Sequence, residues 1–130
     1  MIMQDPEAPV YTILIAEDNA EQRSLLSSVL SSAGYRVLEA EDGDQAVELV
    51  RRERPGLVLM DVTMPRTSGW NAVRAIKGDP ETSRVPIIVI TGLAGSFDRD
   101  ASIAAGADEH MAKPVPPRKL LEEVRKFLPR

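Results

Sequence analysis

Three carboxylates stand where two apolar runs end. Glu17 and Asp18 follow Ile13-Leu14-Ile15-Ala16, and Asp61 follows Leu57-Val58-Leu59-Met60. Continuous apolar runs of this length are strands buried on both faces, unlike the alternating strands of a half-exposed sheet. Open α/β sheets place their sites at the carboxyl ends of such strands. Carboxylates gathered there repel one another, and a divalent cation with oxygen ligands relieves that repulsion. Mg²⁺ suits the ligand type, and Mn²⁺ is the second choice. Thr91 and Lys113 stand at two further strand ends. A carboxylate can attack phosphorus to give an acyl phosphate, and Asp61 is the candidate nucleophile. A metal held by Asp18 and Asp61, the Lys113 ammonium and the Thr91 hydroxyl would together stabilise charge spreading over phosphoryl oxygens. Singly, Lys113 reads as a solvated lysine and Thr91 as a strand-end hydroxyl. Their coincidence with three acids is what argues for a site.

The same turn excludes a nucleotide fold. Phosphate binding after a first strand needs glycines that let backbone N–H groups approach. Glu17-Asp18-Asn19 has no glycine and two negative charges, and no G-x-x-x-x-G-K-[ST] motif occurs. With 130 residues, 43% of them hydrophobic and 28% charged, the chain fits one domain with a sizeable core. A net charge of −4 argues against nonspecific nucleic-acid or anionic-membrane binding by the domain as a whole. There is no cysteine, so disulfides, thiol nucleophiles and thiolate metal sites are out. A single His makes catalytic zinc a poor fit. No basic n-region opens the chain and no run approaches a membrane span, so a cytoplasmic location is expected.

Residues 1–10, with Pro6 and Pro9, read as a mobile arm, and 11–130 as the domain. The first strand is expected over about Tyr11–Ala16. A helix to about Ser32 follows, capped by Asn19 or Asp18, with Leu25, Leu26, Val29 and Leu30 on one face. Gly34 suits a left-handed cap. A strand over Arg36–Ala40, a turn at Asp42-Gly43 and a helix marked by Ala46, Val47, Leu49 and Val50 come next. Pro55-Gly56 stops that helix before the Leu57–Met60 strand. Pro65 and Gly69 bracket a loop, and a third helix runs over about Trp70–Lys77, with Trp70 packed on the core. A strand at Ile87–Ile90, a Gly92–Gly95 loop, a helix over about Phe97–Ala105 and a strand over Glu109–Ala112 follow. Leu120, Leu121, Val124 and Phe127 mark the last helix. Strand–helix alternation repeated in this way implies a parallel α/β sheet with right-handed crossovers and helices on both faces.

These motifs together resemble a known family. ILIAEDN (Ile13–Asn19), LVLMDVTMP (Leu57–Pro65), Gly69, VIT (Val89–Thr91), AGAD (Ala105–Asp108) and Lys113-Pro114 stand in the order of the receiver domain of two-component response regulators. The resemblance covers about Tyr11 to the C-terminus and is of the chemotaxis-regulator type. It implies a doubly wound, flavodoxin-like (βα)5 fold with strand order 2-1-3-4-5. By that resemblance Asp61 accepts a phosphoryl group from a sensor histidine kinase or phosphotransfer protein. Glu17 and Asp18 match the acidic pair that organises Mg²⁺, and the Thr63 carbonyl matches a backbone ligand. Thr91 matches the switch hydroxyl, Lys113 the phosphate-contacting lysine, and the Lys113–Pro114 bond is expected to be cis. The protein is then a switch with weak self-phosphorylating and self-dephosphorylating activity rather than an enzyme. Its output passes through a downstream partner or a second copy at the face of the fourth helix, fifth strand and fifth helix.

Three positions depart from the family pattern. His110 stands where Tyr or Phe usually forms the second switch side chain. It reads either as that switch or as a half-exposed histidine on a short strand. Gly92 replaces the more usual Ala or Ser after Thr91. Leu93, two residues after Thr91, lies where family members vary in polarity; by the resemblance it and Thr63 flank the path of the hydrolytic water, and neither is built to orient it, so slow self-dephosphorylation is expected. Two other readings compete: a degenerate receiver that only binds partners, and an aspartate-nucleophile phosphatase. The first would be expected to have lost Asp61, the acidic pair or Lys113. The second wants a carboxylate where Thr63 stands.

Overall fold

A computed structural model describes residues 10–63, 69–92 and 96–129, with backbone alone for 96–99. Among the described residues ten elements alternate: β1 (Thr12–Ala16), α1 (Ala20–Ser32), β2 (Arg36–Ala40), α2 (Gly43–Glu53), β3 (Leu57–Asp61), α3 (Gly69–Gly78), β4 (Ile87–Thr91), α4 (Ser96–Ala105), β5 (Glu109–Ala112) and α5 (Pro117–Phe127). All paired strands are parallel, in the order β2-β1-β3-β4-β5. The chain leaves β1 for β2 at one edge, then returns to lay β3 on the other side of β1. That reversal is the topological switch point where such sheets open a crevice beyond their carboxyl ends.

Alternate residues of each strand feed two cores. Leu14, Val58, Met60, Ile87 and Val89 pack with Ala46, Val50, Val73 and Ile76 of α2 and α3. Ile13, Ile15, Leu57, Leu59, Ile88, Ile90 and Met111 pack with Leu30 of α1 and Leu120 and Val124 of α5. With apolar cover on both faces, β3 and β4 are buried throughout, as their unbroken apolar sequences predict.

Small departures from expectation have local causes. Leu25 is 64% exposed, because the packed stripe of α1 follows Leu26, Val29, Leu30 and Ala33 and leaves Leu25 beside it. Asp42 is a helix cap rather than part of a free turn: it accepts from the Gln45 N–H at 2.8 Å, and Gly43 is already helical. The end of α2 is turned by Arg54 at φ 48°, one residue before Pro55. Gly34 takes φ 97° after α1, as its type predicts. Trp70 packs partly buried against the α2–α3 core. Expectations for the N-terminal arm up to Pro9, for Pro65, for Leu93 and Gly95 and for the Phe97 side chain fall outside the described residues.

Candidate functional site at the carboxyl edge

Strand register assembles the site. Ala16 sits beside Met60, so Glu17 and Asp61 emerge as neighbours from β1 and β3. Thr91 ends β4 and pairs with Ala112, which puts Lys113 one step beyond it. Lys113 is tied there through its backbone, its N–H donating to the Thr91 carbonyl at 2.8 Å. The Lys113–Pro114 peptide is cis, as the resemblance implies.

Asp61 is 4% exposed and Glu17 1%. Buried carboxylates need partners, and both have them. The Thr63 N–H and hydroxyl donate to Asp61 Oδ1 at 2.9 and 2.6 Å. Lys113 Nζ donates to Asp61 Oδ2 at 3.2 Å and to Glu17 Oε1 at 2.7 Å. Gly69 lies against this strand end: a Cβ there would come within 2.5 Å of the Asp61 carbonyl oxygen and 2.6 Å of Val62 Cα. Only glycine lets α3 begin so close.

The charges are unequally matched. Burial first, then a hydrogen bond shared with Asp61, pushes the Glu17 carboxyl up to about 7 against the pull of Lys113. Burial also pushes Asp61 up, but hydrogen bonds from Glu17 and Thr63 and the Lys113 charge hold it below the usual carboxylate range. For Lys113, burial is outweighed by the two carboxylates, and its affinity for the proton rises. Two acids and one base are thus crowded together, and Glu17 holds its proton more tightly than a free carboxyl does.

A cation can take that proton's place. One carboxylate oxygen each from Glu17, Asp18 and Asp61 lies within 4.8 Å of the others, with Asp18 exposed and the other two buried. An all-oxygen set with one open side suits a hard, hydrated divalent cation. Thr63 faces Asp61 through its N–H and hydroxyl. Thr91 is fully buried. His110 pairs in register with Val89, half-buried, and among the described residues its buried Nε2 has no hydrogen-bond partner.

Two site residues escape a reading of motifs. Arg23 donates to the Glu17 carbonyl at 2.8 Å and bridges Glu39 at 3.2 Å, bracing the acidic turn against β2. Gln22 accepts from Lys113 Nζ at 2.7 Å. For Gln22 the one signal was its place three residues after the capping Asn19.

Residues 13–125 match the family model described as the response regulator receiver domain. Protein PilH of Pseudomonas aeruginosa is 36% identical over 116 residues, covering 89% of this chain and 96% of that protein. The probable transcriptional regulator ycf27 of Porphyridium aerugineum is 36% identical over 118 residues, 91% of this chain. This chain spans about half the length of that relative, 48%. Among solved structures, the receiver domain of the sensor histidine kinase PA1611 from Pseudomonas aeruginosa is 34% identical, with a TM-score of 0.86. That match covers 94% of this chain and 100% of the other, which carries a magnesium ion in its active-site cleft.

Proposed function

The chain belongs to the response regulator receiver domain family, and from that premise we propose that Asp61 is its phospho-acceptor. The observation that carries the reading is the Lys113 ammonium set between Asp61 and Glu17 in a nearly closed carboxylate cluster. The donor is a phosphohistidine of a sensor kinase or phosphotransfer protein. An Asp61 oxygen attacks phosphorus, the donor P–N bond breaks, and the imidazole leaves with the bonding pair and takes up a proton. Lys113 neutralises charge on the phosphoryl oxygens. Glu17, Asp18 and Asp61, with the Thr63 carbonyl, would hold Mg²⁺, which supplies further neutralisation of the transferring group.

Thr91 and His110 carry the signal. The Thr91 hydroxyl closes on the phosphoryl group, and His110 moves into the space behind it, remodelling the face of α4, β5 and α5. There a downstream protein or a second copy docks. The buried His110 Nε2, which has no partner among the described residues, supports this role, since a side chain with little to lose there leaves its place easily. Unchanged partner affinity after His110→Tyr would reduce it to a structural residue. Such a module works in the cytoplasm; among the described residues no helix is long and apolar enough to cross a membrane.

One incubation separates this reading from its rivals. With Mg²⁺ and a small phosphodonor, a receiver accumulates an acid-resistant, base-labile adduct. A degenerate interaction module forms none. A phosphatase consumes donor steadily without accumulating adduct, and it lacks support here because Thr63, in the general-acid position, donates to Asp61 as a neutral hydroxyl.

A further inference from the structure

Two helices of this fold open with the same pattern and use it differently. Asn19 caps α1 with Gln22 three residues on, and Asp42 caps α2 with Gln45 three residues on. In this pattern the glutamine ordinarily turns back to a backbone N–H at the helix start. Gln45 does so, its Oε1 accepting from the Glu41 N–H at 2.6 Å. Gln22 does not. The Asn19 N–H faces Glu17 Oε2 at 3.4 Å, and the Gln22 side chain instead crosses to Lys113, 91 positions away in the chain.

An ammonium has three N–H donors. For Lys113 they meet Glu17 Oε1 at 2.7 Å, Gln22 Oε1 at 2.7 Å and Asp61 Oδ2 at 3.2 Å. Two short bonds from separate places on the fold fix the nitrogen. The third, slack bond faces the acceptor carboxylate. We propose that Gln22 is a positioning residue for phosphoryl acceptance, holding Lys113 so that its loosest N–H faces the incoming phosphoryl oxygens. This rests on the reading of Asp61 as phospho-acceptor. A donor held in place before the reaction needs no reorganisation during it. Without the Gln22 oxygen, the nitrogen keeps one firm tether and swings about it.

The test compares wild type with Gln22→Leu, which lacks the acceptor, and Gln22→Glu, which keeps an oxygen at the same reach. Each takes saturating Mg²⁺ and a small phosphodonor. Gln22→Leu should slow initial phosphorylation about three- to tenfold, the net worth of one ordinary hydrogen bond. Its melting temperature should hold, and Gln22→Glu should restore most of the rate. In the metal-free protein, the ¹⁵N signal of the Lys113 ammonium should be seen in wild type and lost to exchange in Gln22→Leu. An unchanged rate or an unchanged ammonium signal in Gln22→Leu overturns the inference and leaves the receiver reading standing. So does an equal slowing in both variants with a lowered melting temperature. No adduct on wild type overturns the receiver reading, and the inference with it.

Discussion

Two buried glutamates in this molecule pair with lysines and end in opposite electrostatic states. Glu123 on α5 is 5% exposed and lies between Lys119 at 3.1 Å and Lys126 at 3.0 Å. Hydrogen bonds from Lys126 and then Lys119 outweigh burial and hold its carboxyl below the ordinary value. Glu17 is as well buried, yet it shares its lysine with a second carboxylate and is pushed up to about 7. The lysines at Glu123 come from the same helix, three and four residues away, so one element satisfies the acid by itself. The lysine at Glu17 arrives from just past the end of β5, across the sheet. A carboxylate with enough cations supports structure; one left short of a cation is a candidate site for binding one.

The largest expected contrast is chemical. Asp61→Asn should abolish the phosphoryl adduct, whereas Glu123→Gln should leave its formation at the wild-type rate, as followed by label incorporation. Loss of adduct in both would erase the distinction between the two clusters. Next comes the metal. Asp18→Asn should weaken Mg²⁺ binding at least about tenfold, as removal of a ligating charge does, and nearly abolish phosphorylation. Titration calorimetry giving unchanged affinity would take Asp18 out of the site.

Stability against pH sharpens the contrast further, because the two glutamates predict opposite slopes. In metal-free protein, the Glu17 pKa is raised above its unfolded value. Its contribution is therefore complete in acid and is lost as pH rises toward about 7. Glu17→Gln should flatten that decline by ~2 kcal/mol or less, since the depressed Asp61 offsets part of it. Denaturation in chelator at pH 5 and pH 8 measures it, and parallel losses in wild type and variant would contradict it. The smallest effect belongs to Glu123. Its pKa is lowered, so its stabilisation is present at neutral pH and lost as pH falls through the acid carboxylate range. Glu123→Gln should lower the melting temperature at pH 7 by at most about 3 °C and leave it unaltered near pH 3. A larger deficit in acid than at neutrality would reverse the assigned sign.

Most of the architecture was legible because the strands are buried on both faces and their sequences are unbroken apolar runs. The site followed, since a carboxylate placed one residue past such a run has only the sheet edge to occupy. Leu25 misled because four apolar residues in two turns of α1 fit a face wider than the one the sheet covers. Arg54 was not foreseen as the end of α2, its left-handed backbone being a conformation that its residue type does not announce. Gln22 escaped for a different reason. Its pattern signals a cap that closes on its own helix, and only tertiary placement of Lys113 gives it a better partner. The Gly69 signal was visible as a motif, but its cause, the close approach to the Asp61 carbonyl, needed coordinates.

The central claim is that Asp61, among three clustered acids, receives the phosphoryl group. It is tested most directly by treating the protein with Mg²⁺ and a small phosphodonor, then mapping the acyl phosphate by peptide mass spectrometry. One phosphoryl group is expected, on Asp61, in the peptide containing Leu57-Val58-Leu59-Met60. A phosphoryl group on Glu17 or Asp18, or none on any carboxylate while Mg²⁺ is bound, would contradict it.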